Sequence, residues 1–255
     1  MNLNGLRILN TRPLGQNLQL QEDILSSGGV SIALPALSIE PTPDTWLNQL
    51  PNFVEIDIAI FISANAVSYF FESLRNHGLA WPSSIQNIAI GKATGNMLSK
   101  YNVRLDEVPK IADSEHLLAL ESLQQVSNKK ILLVKGVNGK QEIEHTLFKK
   151  QAILFSVDVY RRVLPCIEQE LIDSLWHDDL VDIILFTSLQ AMHHLFVLFG
   201  EVKTSWLCSK PCVVISERLA HEAYALGINT VLVSQYDKLI DTLLQYAQHL
   251  KRIQT

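Results

Sequence analysis

The segment Asp57–Val67 reads DIAIFISANAV, a pattern typical of a buried strand, a tight turn and the first turn of a helix. An apolar run follows Asp57, a small polar cluster at 63–65 interrupts it, and apolar residues then return at helical spacing. A second copy, DIILFTSLQAM, begins 125 positions later at Asp182. Between Asp57 and Ile90, nine residues are identical after this shift, whereas chance supplies roughly two in such a window. The segment therefore belongs to an internal repeat.

The length of the repeat predicts two copies of one domain, because solenoids and propellers repeat with periods of about 20–50 residues. The strand–helix–strand block Arg7–Leu34 returns as Ile131–Val157 at nearly the same offset, and the chain after 166 lacks such a block. The first segment therefore completes the last one. The predicted fold class is α/β, with two similar domains whose parallel sheets are flanked by helices. We predict a discontinuous domain one at 1–36 and 166–255, an inserted domain two at 42–155, and crossovers at 37–41 and 156–165.

Local patterns predict further elements within this frame. Apolar residues at helical spacing predict two helices. We expect one to bury Leu18, Leu20, Ile24 and Leu25 on one side, and the other to bury Ile143, Leu147 and Phe148. Val108 is expected to lie in a strand, and Leu117–Leu123 in a helix. Three prolines in the stretch 35–43 are incompatible with a helix or a central strand, so this stretch is predicted to be a linker.

The composition excludes several classes of protein. Of 255 residues, 18 % are charged and the net charge is −5, which argues against nonspecific nucleic-acid binding because that binding needs surplus Lys and Arg. An anionic ligand would be held by backbone N–H groups at helix N-termini. Three cysteines without a Cys-x-x-Cys motif suit a reducing cytoplasm. The N-terminus lacks a signal-peptide pattern, and the apolar stretch Ile183–Phe199 is too short and too polar for a membrane span. We expect a cytoplasmic protein without nucleic-acid or membrane partners.

The candidate binding positions follow from the predicted parallel sheets, in which ligands bind beyond the carboxyl ends of the strands. These positions carry Ser, Thr, Gly and Asn at predicted helix N-termini, which suits anions. Each Ser or Thr fits equally well as a plain helix N-cap. The positions are Ser63-Ala64-Asn65, Gly91 to Thr94 and Lys135 to Lys140 in domain two, and Thr11-Arg12, Ser188-Leu189-Gln190 and Ser216-Glu217-Arg218 in domain one.

No metal site and no dinucleotide or phosphate-loop motif is recognisable in the sequence. His193 and His194 are adjacent on a predicted helix and point in different directions, so we expect core or surface roles. Cys208 and Cys212 fit packing better than metal binding. Tyr160 lies in the second crossover, within VYRR. It fits either a phenol directed at a ligand or an aromatic residue packed at a hinge.

Eight short motifs follow one another in a specific order along nearly the whole chain. They are Asn10-Thr11-Arg12-Pro13, Leu34-Pro35 with Ile39-Glu40-Pro41, Phe61–Val67, Ala89–Thr94, Val134-Lys135-Gly136 with Gly139, Val159–Arg162, Phe186-Thr187-Ser188, and Ile215–Arg218. Each motif is weak alone. Together, in this order and spacing, they resemble the uroporphyrinogen-III synthase family.

The resemblance implies two α/β domains joined by a two-stranded ladder, with no metal and no organic cofactor. It implies that the substrate is hydroxymethylbilane, a linear tetrapyrrole with eight carboxylates. In the family, loss of the terminal hydroxyl gives an azafulvene, and closure through a spiro intermediate inverts ring D. The partners implied are this small molecule and a transient hand-over from hydroxymethylbilane synthase. We expect a monomer, because no exposed apolar stripe is evident in the sequence.

The resemblance also assigns residues. The family's crossover tyrosine protonates the departing hydroxide, and this catalytic role falls on Tyr160. Positioning of the substrate does most of the work, because the uncatalysed closure is facile but gives the other isomer. The residues predicted to bind substrate are Arg12, Ser63, Ala64, Asn65, Gly91, Thr94, Lys135, Gly136, Ser188, Leu189, Gln190, Ser216 and Arg218.

Two positions depart from the family pattern. Lys135 stands where an Arg is usual, which keeps the charge and loses the bidentate fork, and Leu219 stands where a Thr often follows. Two other interpretations stay open at this point. One is a non-catalytic two-domain binding or sensor module for a multi-anionic small molecule. The other is a flavodoxin-like flavin protein, which would be yellow when purified.

Overall fold

Two units make up the computed structural model, which describes residues 2–13, 15, 18–139 and 141–254. Unit 1 combines the chain up to Ser38 with the chain from Val163 onward, and unit 2 is the continuous segment Ile39–Arg162. Lys140, which closes one of the candidate turns, lies outside the described residues.

Each unit is built on a five-stranded sheet. The strands are β1 (Arg7–Asn10), β2 (Val30–Ala33), β3 (Ser38–Pro41), β4 (Ile58–Phe61), β5 (Gln86–Ala89), β6 (Lys130–Gly136), β7 (Ile153–Val163), β8 (Ile183–Phe186), β9 (Cys212–Val214) and β10 (Val231–Val233). Unit 1 has the order β10-β9-β8-β1-β2, and all its neighbouring strands are parallel. Unit 2 has the order β3-β7-β6-β4-β5, and its strands from β7 to β5 are parallel. The predicted α/β class with parallel sheets is confirmed.

Helices cover both faces of each sheet. They are α1 (Leu18–Ser26), α2 (Ala64–Asn76), α3 (Lys92–Lys100), α4 (Ser114–Leu118), α5 (Glu142–Lys149), α6 (Gln169–His177), α7 (Leu189–Phe199), α8 (Thr204–Ser209), α9 (Glu217–Ala225) and α10 (Leu239–Gln254). All residues of β4 and β8 are buried, which explains their unbroken apolar runs, because a central parallel strand packs against helices on both faces. None of these described helices is long and apolar enough to cross a membrane.

The strand register locates the internal repeat in three dimensions. In unit 1, Ile184 of β8 pairs with Cys212 of β9, and in unit 2, Ala59 of β4 pairs with Asn87 of β5, which is the same pairing shifted by 125 positions. The block that contains β1 and β2 is offset differently. Arg7 pairs with Val30 in unit 1, and the equivalent pair in unit 2 is Lys130 with Ile153. The offset of this block is therefore 123, two less than across the rest of the repeat.

The aspartate that opens each copy of the motif fixes the register between two strands. The Asp57 carboxylate accepts the Lys130 backbone N–H at 2.7 Å, and the Asp57 N–H donates to the Lys130 carbonyl at 2.9 Å. Asp182 makes the same two bonds with Arg7, at 2.8 and 2.9 Å, and also binds the Arg7 guanidinium. Burial alone would raise the pKa of Asp182, but the hydrogen bonds and charge of Arg7 outweigh it and hold that pKa below its usual value. Asp57 and Asp182 therefore have a structural role in both units.

Several predicted details are wrong. Leu18, Leu25 and Phe148 are exposed, because each lies to the side of a buried stripe. That stripe consists of Leu20 and Ile24 in α1 and of Ile143 and Leu147 in α5. Val108 lies outside every strand, since only Glu107 makes an isolated bridge to β5 and Pro109 has no N–H to continue a ladder. The helix expected over Leu117–Leu123 ends at Leu118, and a short 3-10 helix follows it.

The predicted crossover segments 37–41 and 156–165 contain β3 and most of β7, which are neighbours at the edge of the unit 2 sheet. The proline-rich stretch therefore includes a strand, placed at an edge where Pro41 interrupts no interior ladder. Thr42 donates its backbone N–H to the Val159 carbonyl at 3.2 Å, and Arg161 forms an ion pair with Glu40 at 3.2 Å.

Candidate active site

The carboxyl ends of the parallel strands in unit 2 bring the predicted site residues to one edge of the sheet. Ser63 follows β4 and is the N-cap of α2, with its Oγ accepting the Ala66 N–H at 3.0 Å. Ala64 and Asn65 form the first turn of that helix. Tyr160 belongs to β7, where it pairs with the last residue of β6. A bulge lies at this point: Lys135 pairs with Asp158 and the next residue, Gly136, pairs with Tyr160. The bulge interrupts the regular alternation of side chains along the strand.

Tyr160 is 4 % exposed, and its hydroxyl has one defined neighbour. Ser63 donates its hydroxyl proton to Tyr160 Oη at 3.2 Å, while Ser63 Oγ itself accepts from the helix backbone. Tyr160 Oη is therefore an acceptor in this pair, and its own proton remains available for donation to another group. A hydroxyl that receives one hydrogen bond becomes a better donor, because chains of hydrogen bonds polarise one another.

The ring of Tyr160 is held by close packing. A Cβ atom placed on Gly136 would lie 2.5 Å from Tyr160 Cζ and 2.7–2.8 Å from both Cε atoms. Only glycine lets the ring lie this close to the backbone of β6. The ring also stacks on Tyr69 of α2 with 6.1 Å between centroids, and the Arg162 guanidinium lies 5.9 Å from its centroid. Tyr160 is therefore a packed aromatic residue of unit 2 whose hydroxyl is hydrogen-bonded to Ser63.

Lys135 is placed differently from the prediction that its ammonium binds substrate. Its side chain is 10 % exposed and Nζ lies 2.9 Å from Asp158 and 3.3 Å from Glu144. Burial alone would lower the pKa of Lys135, but the hydrogen bonds and charges of these two carboxylates raise it. The ammonium is therefore neutralised within unit 2 and serves the structure around the bulge.

The turn after β5 contributes backbone and buried groups. Gly91 is the N-cap of α3 with extended backbone angles that any residue adopts, so conformation does not require glycine. Packing does, because a Cβ there would lie 2.7 Å from the Ala112 Cβ. Thr94 is buried in the first turn of α3. The predicted residues Gly91 and Thr94 are thus buried at the N-terminus of α3, whereas Lys92 and Ala93 are exposed there.

The strand ends of unit 1 repeat this plan. Ser188 caps α7 and accepts the Ala191 N–H at 3.1 Å, with Leu189 and Gln190 in the first turn. Ser216 caps α9 and accepts the Leu219 N–H at 3.4 Å. The side chain of Leu219 is 3 % exposed and belongs to the core, which explains an apolar residue at this position.

Thr11, Arg12 and Arg218, three further candidate positions in unit 1, differ from one another in their burial and contacts. Thr11 is fully buried and donates its hydroxyl to the Leu185 carbonyl at 2.7 Å, so it links β1 to β8. The Arg12 guanidinium lies 5.0 Å from the centre of the Tyr236 ring, a cation–π arrangement. Arg218 is exposed in the first turn of α9.

His193, His194 and Cys208 have polar partners within the protein. His193 Nε2 lies 3.0 Å from the Glu222 carboxylate, and His194 Nδ1 lies 2.8 Å from the Ala36 carbonyl. Burial raises the pKa of Cys212 to about 12, and Cys208 donates its thiol to the Leu226 carbonyl. Among the described residues, no group of three His, Cys, Asp or Glu side chains is arranged to hold a metal ion.

Comparison with known proteins identifies the family. The family model described as uroporphyrinogen-III synthase HemD matches residues 19–239. The chain belongs to the uroporphyrinogen-III synthase family. Uroporphyrinogen-III synthase of Salmonella typhimurium is 27 % identical over 235 residues, covering 90 % of this chain and 95 % of that protein. Two solved structures, each 15 % identical, share the fold. The Helicobacter pylori uroporphyrinogen-III synthetase has a TM-score of 0.64 and covers 96 % of this chain and 99 % of that one. A mutant uroporphyrinogen III synthase of Thermus thermophilus has a TM-score of 0.62 and covers 97 % and 100 %.

Uroporphyrinogen-III synthases are cyclising lyases of tetrapyrrole biosynthesis, so the resemblance drawn from the sequence and the enzyme class that it implied are confirmed. Two features of this uroporphyrinogen-III synthase family member were not predicted from the sequence. Gly136 was predicted to bind substrate, and its packing under Tyr160 is visible only once β6 and β7 are paired. Tyr69 was not predicted at all, because nothing in the repeat distinguishes it from the other aromatic residues of α2.

Proposed function

We infer that this protein is a uroporphyrinogen-III synthase that closes hydroxymethylbilane with loss of water and inversion of ring D, and that Tyr160 is its proton donor. The observation that carries the role of Tyr160 is the direction of its hydrogen bond. Because Ser63 donates to Tyr160 Oη, the phenolic proton is directed elsewhere. Tyr160 is also buried, so little bulk water competes for its hydroxyl.

The proton step balances without a cofactor. The terminal carbon–oxygen bond of hydroxymethylbilane breaks as the pyrrole nitrogen supplies electrons, and Tyr160 transfers its proton to the departing oxygen, which leaves as water. The resulting phenolate is stabilised by the Ser63 hydroxyl, which already donates to the same oxygen. After ring D has inverted, the final closure releases the proton of the ring D carbon that forms the new carbon–carbon bond, and this proton restores Tyr160.

Substrate binding is proposed to rest on backbone N–H groups and two arginines. Ser63, Ser188 and Ser216 each cap a helix, and the N–H groups of the following turn suit carboxylates. The guanidinium groups of Arg12 and Arg218 would add charge at the ends of β1 and β9. The predicted residues Ala64, Asn65, Gly91, Thr94, Gly136, Leu189 and Gln190 stay in this proposal as backbone or shape contributors. The Lys135 side chain is left out of it.

Isomer analysis tests the activity. Hydroxymethylbilane is generated with its synthase, the protein is added, and the oxidised uroporphyrins are separated by chromatography. Isomer III is the expected product. Only isomer I from a folded protein would reject the enzyme and leave a non-catalytic binding module.

Tyr160→Phe tests the proton donor. We expect turnover to fall several-fold or more while the melting temperature stays close to the original, because the ring and its packing are retained. Tyr101→Phe is the matched control, since Tyr101 is a second tyrosine of unit 2 whose hydroxyl bonds within that unit, to Ser68 and Glu72. Equal rates for the original protein and Tyr160→Phe would remove Tyr160 from the proton step.

The setting of the enzyme is a further part of the proposal. Its three cysteines are free thiols, which supports a reducing compartment such as the cytoplasm. A direct hand-over of hydroxymethylbilane from its synthase would limit the uncatalysed closure that gives isomer I. Adding a catalytically inactive hydroxymethylbilane synthase in excess tests this, because it displaces the active synthase from a hand-over complex and lowers the fraction of isomer III, whereas that fraction stays unchanged if hydroxymethylbilane diffuses freely.

A further inference from the structure

We propose that Tyr69 is a positioning residue that ties the start of unit 2 to the ring of Tyr160. The proposal rests on the proposed function, because it assigns Tyr69 a role through Tyr160. Tyr69 lies in the middle of α2, half-buried, and makes two defined contacts, one through its ring and one through its hydroxyl.

The ring contact is with the proton donor itself. The rings of Tyr69 and Tyr160 are stacked, with 6.1 Å between centroids and 25° between planes. This separation falls within the range of about 4.5–7 Å at which aromatic pairs attract each other. The backbone of Gly136 also lies against the ring of Tyr160, so close that a Cβ atom on residue 136 would clash with it. Tyr69 and Gly136 together therefore leave the ring of Tyr160 little freedom to turn.

The hydroxyl contact is with the segment that enters unit 2. Tyr69 Oη donates to the Ile39 carbonyl at 2.8 Å, and Ile39 is both the first residue of unit 2 and a residue of the edge strand β3. Burial raises the pKa of Tyr69, and the charges of Glu72 and Glu40 raise it further, so the hydroxyl stays protonated and remains a donor.

One helix therefore sets both ends of the Tyr160 side chain. The N-cap of α2, Ser63, donates to the Tyr160 hydroxyl, and Tyr69, less than two turns further along, stacks on its ring. The hydroxyl of Tyr69 fixes this part of α2 to Ile39. A shift of α2 against β3 would change the angle of the ring and the 3.2 Å hydrogen bond at the same time.

A double-mutant cycle tests the assignment. Tyr69→Phe removes the bond to Ile39, Tyr69→Leu removes the ring as well, and each is combined with Tyr160→Phe. Misplacing a catalytic group by about 1 Å can cost up to about a hundredfold in rate, but no more than removal of the group. We therefore expect Tyr69→Leu to lower kcat several-fold, at most to the level of Tyr160→Phe, and Tyr69→Phe to lower it less. KM for hydroxymethylbilane should be unchanged for both. Neither substitution should slow Tyr160→Phe further, because the group being positioned is already absent.

Tyr101→Phe is the control for loss of a tyrosine hydroxyl in unit 2, and its kcat should match that of the original protein. Equal losses in the presence and absence of the Tyr160 hydroxyl would overturn the proposal, since a purely structural residue acts independently of that group. An unchanged kcat for both Tyr69 variants would also overturn it. Should Tyr69→Leu fail to fold, Tyr69→Phe keeps the ring and decides the matter by the same cycle. Failure of the proposed function is distinguishable, because it appears as isomer I from the original protein or as full activity of Tyr160→Phe.

Discussion

Gly136→Ala should impair proton donation by Tyr160 although the Tyr160 side chain itself is unchanged. The new Cβ would lie 2.5 Å from Tyr160 Cζ, whereas carbon atoms in contact prefer about 3.5–4.0 Å. The ring must therefore withdraw by about 1 Å. The Ser63–Tyr160 hydrogen bond is 3.2 Å long, close to the limit of about 3.5 Å at which a hydrogen bond persists, so it tolerates little displacement of the Tyr160 hydroxyl.

Two magnitudes follow from this displacement. A misplaced proton donor loses up to about a hundredfold in rate, but the loss cannot exceed that of removing the hydroxyl altogether. We therefore expect kcat of Gly136→Ala to fall to the level of Tyr160→Phe, and the combined variant to be no slower than either. Overpacking should cost about 1–3 kcal/mol of unfolding free energy, measured by thermal or urea unfolding.

Gly95→Ala is the matched control for this experiment. A Cβ on Gly95 would lie 2.6 Å from the end of the Leu105 side chain, so it also overpacks unit 2, at a position that does not contact Tyr160. It should keep kcat, and its unfolding free energy should fall less than that of Gly136→Ala, because the end of the Leu105 side chain can shift and a helix favours alanine over glycine. Wild-type turnover by a folded Gly136→Ala variant would refute the reasoning, because the ring would then tolerate displacement. A rate far below that of Tyr160→Phe would refute it as well, since the damage would then reach beyond Tyr160.

Three further predictions concern groups outside the proton step. Asp182→Asn should lower the unfolding free energy by about 1 kcal/mol near pH 7, since Asp182 is about one-third exposed. Because Arg7 lowers the pKa of Asp182, this stability is present above its unfolded pKa of about 3.9, and the difference between the two proteins should shrink as the pH falls below that value. Lys135→Met should cost about 1 kcal/mol, because Asp158 loses its ion pair while 43 % exposed and Glu144 keeps its hydrogen bond from the Ser156 hydroxyl. KM for hydroxymethylbilane should be unchanged, and a raised KM would restore Lys135 as a ligand. In thiol titration at pH 8, exposed Cys166 should react at once, and Cys212, whose pKa burial raises to about 12, only after denaturation.

The sequence predicted the fold best where the pattern of apolar residues reflected burial. The repeated motif at Asp57 and Asp182 predicted two parallel α/β sheets, because central strands must be apolar throughout and their turns must carry N-caps. The same signal could not show the different offset of the β1–β2 block. That offset depends on the lengths of the loops. Loop lengths can differ between the two units because the hydrogen bonds of Asp57 and Asp182 fix the strand register in each.

Side-chain partners were harder to predict than elements. Lys135 was expected to hold an anion, and the two carboxylates that neutralise it come from α5 and β7, whose approach depends on the bulge between Lys135 and Gly136. Leu25 and Phe148 were expected inside because they are apolar, although each lies about 100° around the helix from a residue of the buried stripe. An apolar residue next to a stripe can stay in water at little cost.

The discontinuous chain of unit 1 has a consequence for its synthesis. β1 lies between β2 and β8 in the finished sheet, and the bond from Arg7 to Asp182 joins residues 175 positions apart. At about 5–20 residues per second, translation leaves β1 without that neighbour for roughly 9–35 s. Unit 2 is complete in the meantime, since all its strands end by Val163. During that interval Ile8 and Leu9, fully buried in the folded enzyme, are without their partners on β8. The nascent chain is therefore most exposed to aggregation and to chaperones through its first strand, long after that strand has left the ribosome.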